Sequence, residues 1–357
     1  MRIADRRDNG AFEMFDVGDV FAPHHPCTDD SVSQDLTGSG AAIGTIHHGT
    51  SLRSVSTATS LLPLPWPRSI AGRSVGPLGF GCWRLTTAST QEASHLVEGA
   101  VDLGCTLLDI ADIYGLNWGG AGWGTCEERL GAVLAARPGL RDRIVLVTKG
   151  GIVPGTPYDS SAAYLTSACE ASLRRLGVDR VDLYMIHRPD LLAHPADVAS
   201  TLRSLRDRGL IGAIGVSNHT AAQVEALEHF LGEPVAAIQP EFSVVALGAM
   251  RDGVLDRAMQ DRSAVLAWSP LAGGRVVTGE GLRPELIEVL DRIAADHGTD
   301  RSVVALAFIL AHPSSPVALL GTQQLDRIAD AMRALDLALT RSEWFSIVEA
   351  SEGVPLP

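Results

Sequence analysis

The chain has 357 residues, enough for one large domain or two modest ones, and 46% of them are hydrophobic, which supplies a large core. A formal net charge of -13 argues against nucleic acid as a partner, and no apolar run reaches the ~18–20 residues that span a bilayer. The five cysteines (Cys27, Cys82, Cys105, Cys126 and Cys169) are odd in number and show no C-x-x-C spacing, so they read as free thiols in a reducing compartment.

The first residues, MRIADRRDNG, run into polar sequence rather than an apolar stretch, so no signal peptide is expected and the reading is cytoplasmic. Residues 1–62 carry no sustained helical or strand period and read as a flexible N-terminal extension. Within them, Gly38, Gly40 and Gly44 spell GSGAAIG, but the spacing is not that of a dinucleotide loop and no strand precedes it.

From residue 63 onward, short β-rich apolar runs alternate with longer amphipathic stretches. A hairpin is predicted over Arg68–Pro77, placed to close the bottom of a barrel. Eight strands are predicted, at Leu78–Gly81, Thr106–Ile110, Arg143–Lys149, Val181–His187, Ala213–Val216, Ala236–Gln239, Ala264–Trp268 and Val317–Leu320. Helices fall between them. One covers Ser94–Leu103, a second is capped by Asp159 and ended by Gly177, and a third opens on a Thr220/Gln223 capping box and runs toward Leu231. Alternating strands and helices imply a parallel sheet, and eight such units over residues 63–357 fit a closed (β/α)₈ TIM barrel with the short hairpin at its base.

Such barrels place their chemistry at the C-terminal strand ends. Asp109 ends the second predicted strand and Tyr114 follows in the loop. Lys149 ends the third and His187 the fourth, Ser217 and Asn218 follow the fifth, Gln239 ends the sixth, and Trp268 and Ser269 close the seventh. Taken singly, Asp109 reads as a helix cap, Tyr114 as loop packing and His187 as a core histidine. Lys149 has the weakest such reading, because an apolar strand rarely ends in an unpaired lysine. Of the 29 basic residues, Lys149 is the only lysine; the rest are arginine, so a role specific to the ammonium is expected there. Together the four suit proton donation to a carbonyl. An ammonium lowers a phenol's pKa, a carboxylate keeps the ammonium charged, and an imidazole steadies the oxygen where charge develops. The hydride must come from a cofactor.

Several segments resemble those of the aldo-keto reductase family. GCTLLDIADIYG resembles the segment of its catalytic aspartate and tyrosine, while VTKGG and LYMIHRPD resemble those of its lysine and histidine. GVSNHT resembles its amide-binding turn, AWSPLAGGRV its seventh-strand loop, and IHRPD with TRSEWFSI a bacterial NADPH-dependent subfamily. The resemblance implies carbonyl reduction with Tyr114 as general acid and Asp109, Lys149 and His187 completing a tetrad. It implies that Ser217, Asn218 and Gln239 bind the nicotinamide carboxamide and that Trp268 stacks on the ring. Ser269, Leu271 and Gly273 would line the pyrophosphate path, and Gly321, Thr322 and Arg327 would hold the adenosine end, with Arg327 on the 2′-phosphate of NADPH. Ala331 departs from the asparagine that often contacts adenine. A small-molecule carbonyl substrate is implied, with Trp83, Trp118 and Trp123 as candidate pocket walls, in a monomer or weak homodimer without metal. The alternative reading is a nucleotide-sensing regulatory barrel with vestigial chemistry. A metal-dependent hydrolase is disfavoured, since no H-x-H pair sits at a strand end.

Overall fold

A computed structural model describes residues 60–61, 68–116 and 119–357. The GSGAAIG segment, Cys27 and Trp118 lie outside the described residues, as does most of the expected extension. Eight parallel strands close into a barrel in chain order: β1 (Leu78–Gly81), β2 (Leu107–Asp109), β3 (Val145–Gly150), β4 (Val181–Ile186), β5 (Ile211–Ser217), β6 (Ala237–Gln239), β7 (Ala264–Ala267) and β8 (Val317–Leu320). Each lies within or beside a stretch expected from the sequence. The hairpin pairs Ser69–Ile70 with Arg73–Ser74. Its Ile70 is fully buried in one cluster with Leu107, Val145 and Leu183, so it plugs the N-terminal mouth of the barrel. Two residues inside the expected extension, Ser60 and Leu61, pair antiparallel with Thr340 and Leu339.

The helices that matter for the site are α1 (Thr90–Asp102), α2 (Thr125–Ala136), α3 (Ala162–Leu176), α4 (Pro195–Asp207) and α5 (Ala221–Leu231). Helix α5 opens on the Thr220/Gln223 capping box and closes at Gly232. Helix α3 ends at Gly177, in the left-handed region, as expected. Its cap, however, is Ser161, whose side chain accepts from the Tyr164 amide; Asp159 instead accepts from the Ser161 amide at 2.8 Å. The chain therefore turns once more than expected before entering the helix.

Helix α2 packs so closely on the end of α3 that a Cβ at Gly131 would lie 2.1 Å from the Arg175 carbonyl oxygen and 3.0 Å from the Leu176 carbonyl carbon. Both are backbone atoms at the end of a helix and have little room to yield. Gly131→Ala should therefore destabilise the fold by about 3 kcal/mol and lower Tm by about 6 °C. An unchanged melting curve would show that the two helices separate at little cost.

Candidate active site

Alternate residues of a strand share a face, so the barrel interior can be read in steps of two. On β3, Val145 and Val147 fill the interior and Lys149 is next on that face. On β2, Leu107 is followed by Asp109; past Leu183 and Met185 of β4 comes His187; past Ala213 and Gly215 of β5 comes Ser217. Ala237 leads to Gln239, and Ala264 and Leu266 lead to Trp268. The apolar core thus ends in a layer of polar side chains at the C-terminal mouth, all from one parity of the strands.

Lys149 is fully buried, and its ammonium has three acceptors: Asp109 Oδ2 at 2.7 Å, the Ile110 carbonyl at 3.0 Å and Tyr114 Oη at 3.1 Å. An ammonium has three hydrogens, so the set is complete. The His187 ring meets the Tyr114 ring edge-on, with centroids 5.6 Å apart. The four expected tetrad residues are therefore brought together.

The electrostatics differ from the sequence expectation at one point. The Tyr114 phenol sits above its ordinary pKa because burial outweighs the downward pull of Lys149. It holds its proton in the resting site, and the ammonium acts by opposing that burial. Burial also works against the charge on Lys149, but Asp109 and Tyr114 together raise its pKa and keep it cationic. His187 lies well below its usual value through burial, with the charges of Lys149 and Arg188 adding to the effect. The imidazole is neutral and can donate a hydrogen bond without adding charge.

A second set of groups adjoins the tetrad. Asn218 Nδ2 donates to the His187 carbonyl at 3.2 Å and to Ser217 Oγ at 2.9 Å, and Trp268 Nε1 donates to Asn218 Oδ1 at 2.9 Å. Gln239 is only 2% exposed, and its Nε2 donates to Asp109 Oδ1 at 2.8 Å. Beyond Trp268 the chain turns sharply. Ser269 and Ala272 have φ of 53° and 51°, and Gly273 and Gly274 follow at 69° and 102°. Non-glycine residues reach that region at a cost, which such loops commonly repay in ligand binding. Leu271 lies within this turn. Gly321 and Thr322 follow β8, and Arg327 is exposed on the next helix, Leu325–Met332. Gly321 has little space above it, since a Cβ there would meet Trp83 Nε1 at 2.4 Å. This places Trp83 on the rim across β1 and β8, while Trp123 is half-buried in the loop before α2. These groups suit a nicotinamide cofactor: amides and an indole converge beside the Tyr114 hydroxyl, and a strained loop adjoins them.

Sequence reasoning missed a buried polar network outside the barrel wall. Glu127 of α2 accepts from Thr148 Oγ1 at 2.5 Å and from Arg175 Nε at 2.8 Å. Asp112, on the loop between Asp109 and Tyr114, is 1% exposed and accepts from Tyr164 Oη at 3.3 Å. Its other oxygen, Oδ1, is buried without a partner. One signal was present in the sequence: Glu127 lies on the apolar stripe of α2 with Leu130, Gly131 and Leu134, where a charge requires a partner.

Cys82, Cys105, Cys126 and Cys169 are free and buried. Burial pushes the Cys105, Cys126 and Cys169 thiols up to about 12, which leaves them unreactive. Among the described residues no group of side chains is suited to hold a metal ion, and no helix is long and apolar enough to cross a membrane.

Residues 77–352 match the Aldo/keto reductase family. The chain is 44% identical over 302 residues to a 6-dehydroglucose reductase of Novosphingobium aromaticivorans, covering 83% of this chain and 99% of that one. It is 35% identical to a 6-dehydroglucose reductase of Agrobacterium fabrum, covering 77% and 93%. A solved aldo/keto reductase from Klebsiella pneumoniae, in complex with NADP and acetate, superposes with a TM-score of 0.67 at 26% identity, covering 81% of this chain and 96% of that one.

Proposed function

Because this chain belongs to the aldo/keto reductase family, we propose that it reduces the carbonyl of an aldehyde or ketone to the alcohol with NADPH, and that Tyr114 is the general acid. The observation that carries this reading is the buried Lys149 ammonium shared between Asp109 at 2.7 Å and the Tyr114 hydroxyl at 3.1 Å. Bound NADPH would supply the hydride. Tyr114 Oη gives its proton to the carbonyl oxygen as negative charge builds there, and Lys149 stabilises the phenolate left behind. Asp109 keeps Lys149 charged and in place. Neutral His187 offers a hydrogen bond that steadies the carbonyl oxygen.

Ser217, Asn218 and Gln239 would hold the carboxamide, and Trp268 would cover one face of the ring. Ser269, Leu271 and Gly273 would line the pyrophosphate path, with Gly321, Thr322 and Arg327 at the adenosine end. A carbonyl group on a sugar is the substrate we favour, on the names of the two relatives above.

Tyr114→Phe should lower single-turnover hydride transfer by at least ~10²-fold while NADPH binding stays near wild type. Undiminished transfer in that variant would remove Tyr114 from the role. If wild-type protein oxidises no NADPH with sugar aldehydes or simple aldehydes, the regulatory-barrel reading replaces this one.

For the cofactor's second phosphate, Arg327→Ala should weaken NADPH binding about tenfold or more, as expected on losing a charge-assisted contact, and leave NADH binding nearly unchanged. Equal losses for both would show that Arg327 does not read the 2′-phosphate.

A further inference from the structure

The polar side chains at the mouth form one connected line. Trp268 Nε1 donates to Asn218 Oδ1 (2.9 Å), and Asn218 Nδ2 donates to Ser217 Oγ (2.9 Å). Ser217 Oγ lies within reach of Gln239 Oε1 (3.3 Å) and of the Gln239 carbonyl (3.0 Å). Gln239 Nε2 donates to Asp109 Oδ1 (2.8 Å), Lys149 holds Asp109 Oδ2 (2.7 Å), and the same ammonium reaches Tyr114 Oη (3.1 Å). The line therefore runs from the indole, through the amides, to the acid.

We propose that Gln239 is a positioning residue for the proton donor, fixing the Asp109 carboxylate for Lys149 and so linking the amide site to the protonation of Tyr114. The inference rests on the reductase reading above and extends it.

Asp109 is 4% exposed and Lys149 is fully buried, so water can do little to orient the carboxylate. The terminal torsion of an aspartate is broad and is held mainly by its partners. With Lys149 on Oδ2 alone, the carboxylate is free to swing about that contact. The Gln239 amide on Oδ1 removes this freedom. It also supplies the second donor that a buried carboxylate requires. The position of Asp109 matters because Lys149 has no hydrogen to spare: its three acceptors are Asp109, Ile110 and Tyr114. Any shift of Asp109 draws the ammonium off the phenol.

The amide is also held in one sense. Reversing it would set Oε1 against the carboxylate and leave Nε2 facing Ser217. A carboxamide that engages Ser217 or Asn218 changes the partner of Gln239 Oε1, and thereby its hold on Asp109. Such coupling is reciprocal: whatever ionises Tyr114 must alter the affinity of the amide site by the same factor.

The test uses Gln239→Met, which keeps the volume and removes both hydrogen bonds. In the cofactor-free protein, the Tyr114 phenol is titrated by ultraviolet difference spectroscopy against Tyr114→Phe. NADP affinity is then measured across the same pH range. Losing the hold on Asp109 should raise the Tyr114 midpoint by about one pH unit, a tenfold change in its ionisation constant. It should shift the pH dependence of NADP affinity by the same amount. At neutral pH, kcat should fall while the carbonyl KM stays near wild type. Gln239→Asn, which keeps the amide but withdraws it from Asp109, should behave alike and serves if the methionine variant does not fold.

A Tyr114 midpoint unmoved in the variant, with NADP affinity lower by one constant factor at every pH, would overturn the proposal and leave Gln239 a plain cofactor ligand. Because the titration is done without cofactor or substrate, its outcome stands apart from whether the protein is a reductase.

Discussion

Lys149→Arg should lower hydride transfer at least ~10²-fold, the loss expected when a catalytic group is misplaced by about 1 Å, while the barrel stays folded and NADPH binding changes far less. The site holds a compact ammonium with no exposed surface and three acceptors between 2.7 and 3.1 Å. A guanidinium is planar and wider, and spreads its charge over three nitrogens, so it cannot meet Asp109, Ile110 and Tyr114 from one point. The added bulk should cost about 1–3 kcal/mol of stability, which a melting curve will show. Single-turnover kinetics and a cofactor titration separate that cost from the chemical one. If the arginine variant transfers hydride at the wild-type rate, charge alone suffices and the geometry around Lys149 has another purpose.

The second large effect is expected at Asp112 and concerns stability. Its carboxyl is pushed from its ordinary value of 3.8 up to about 8, first by burial and then by the negative charge of Glu127. Arg175 and the Tyr164 hydroxyl pull the other way and do not compensate. The folded protein thus keeps a proton that the unfolded chain gives up near pH 4. The stability tied to that proton is complete below pH 4 and is lost progressively as pH rises toward 8.

Asp112→Asn removes the titration. A shift of this size corresponds to about 6 kcal/mol, and the unpaired amide hydrogens of asparagine return about 1–3 kcal/mol. The variant should therefore be about 3–5 kcal/mol more stable than wild type at pH 8.5. For a barrel of this size that is several degrees in Tm. Near pH 5 the gain should vanish or reverse. The same difference in Tm at both pH values would mean that Asp112 carries no proton across this range.

The fold was legible because β-rich apolar runs alternate with amphipathic stretches eight times along the chain. Short β-rich runs such as Arg143–Lys149 mark the strands, and the eight observed strands overlap the runs so marked. The ends of those runs put Asp109, His187 and Gln239 at one mouth, with Ser217 just past the fifth. What escaped depends on burial and on packing across elements. The resting state of the Tyr114 phenol reflects a contest between burial and Lys149, and burial cannot be read from a string of letters. The Glu127–Thr148–Arg175 cluster joins α2, β3 and α3, three elements whose contacts only the closed barrel defines. The Asp159/Ser161 choice at the α3 cap turned on a single extra turn of chain.

The burial of Lys149, with every other basic position an arginine, gives the protein a built-in gauge of local opening. Reagents that acylate primary amines will find, beyond the chain-terminal amine, a single target, and that target is fully buried. The rate of modification at Lys149 therefore reports how often Asp109 and Tyr114 release it, much as amide exchange reports the opening of a helix. Mass spectrometry after timed exposure would read that rate from one peptide, and a ligand that closes the mouth would slow it.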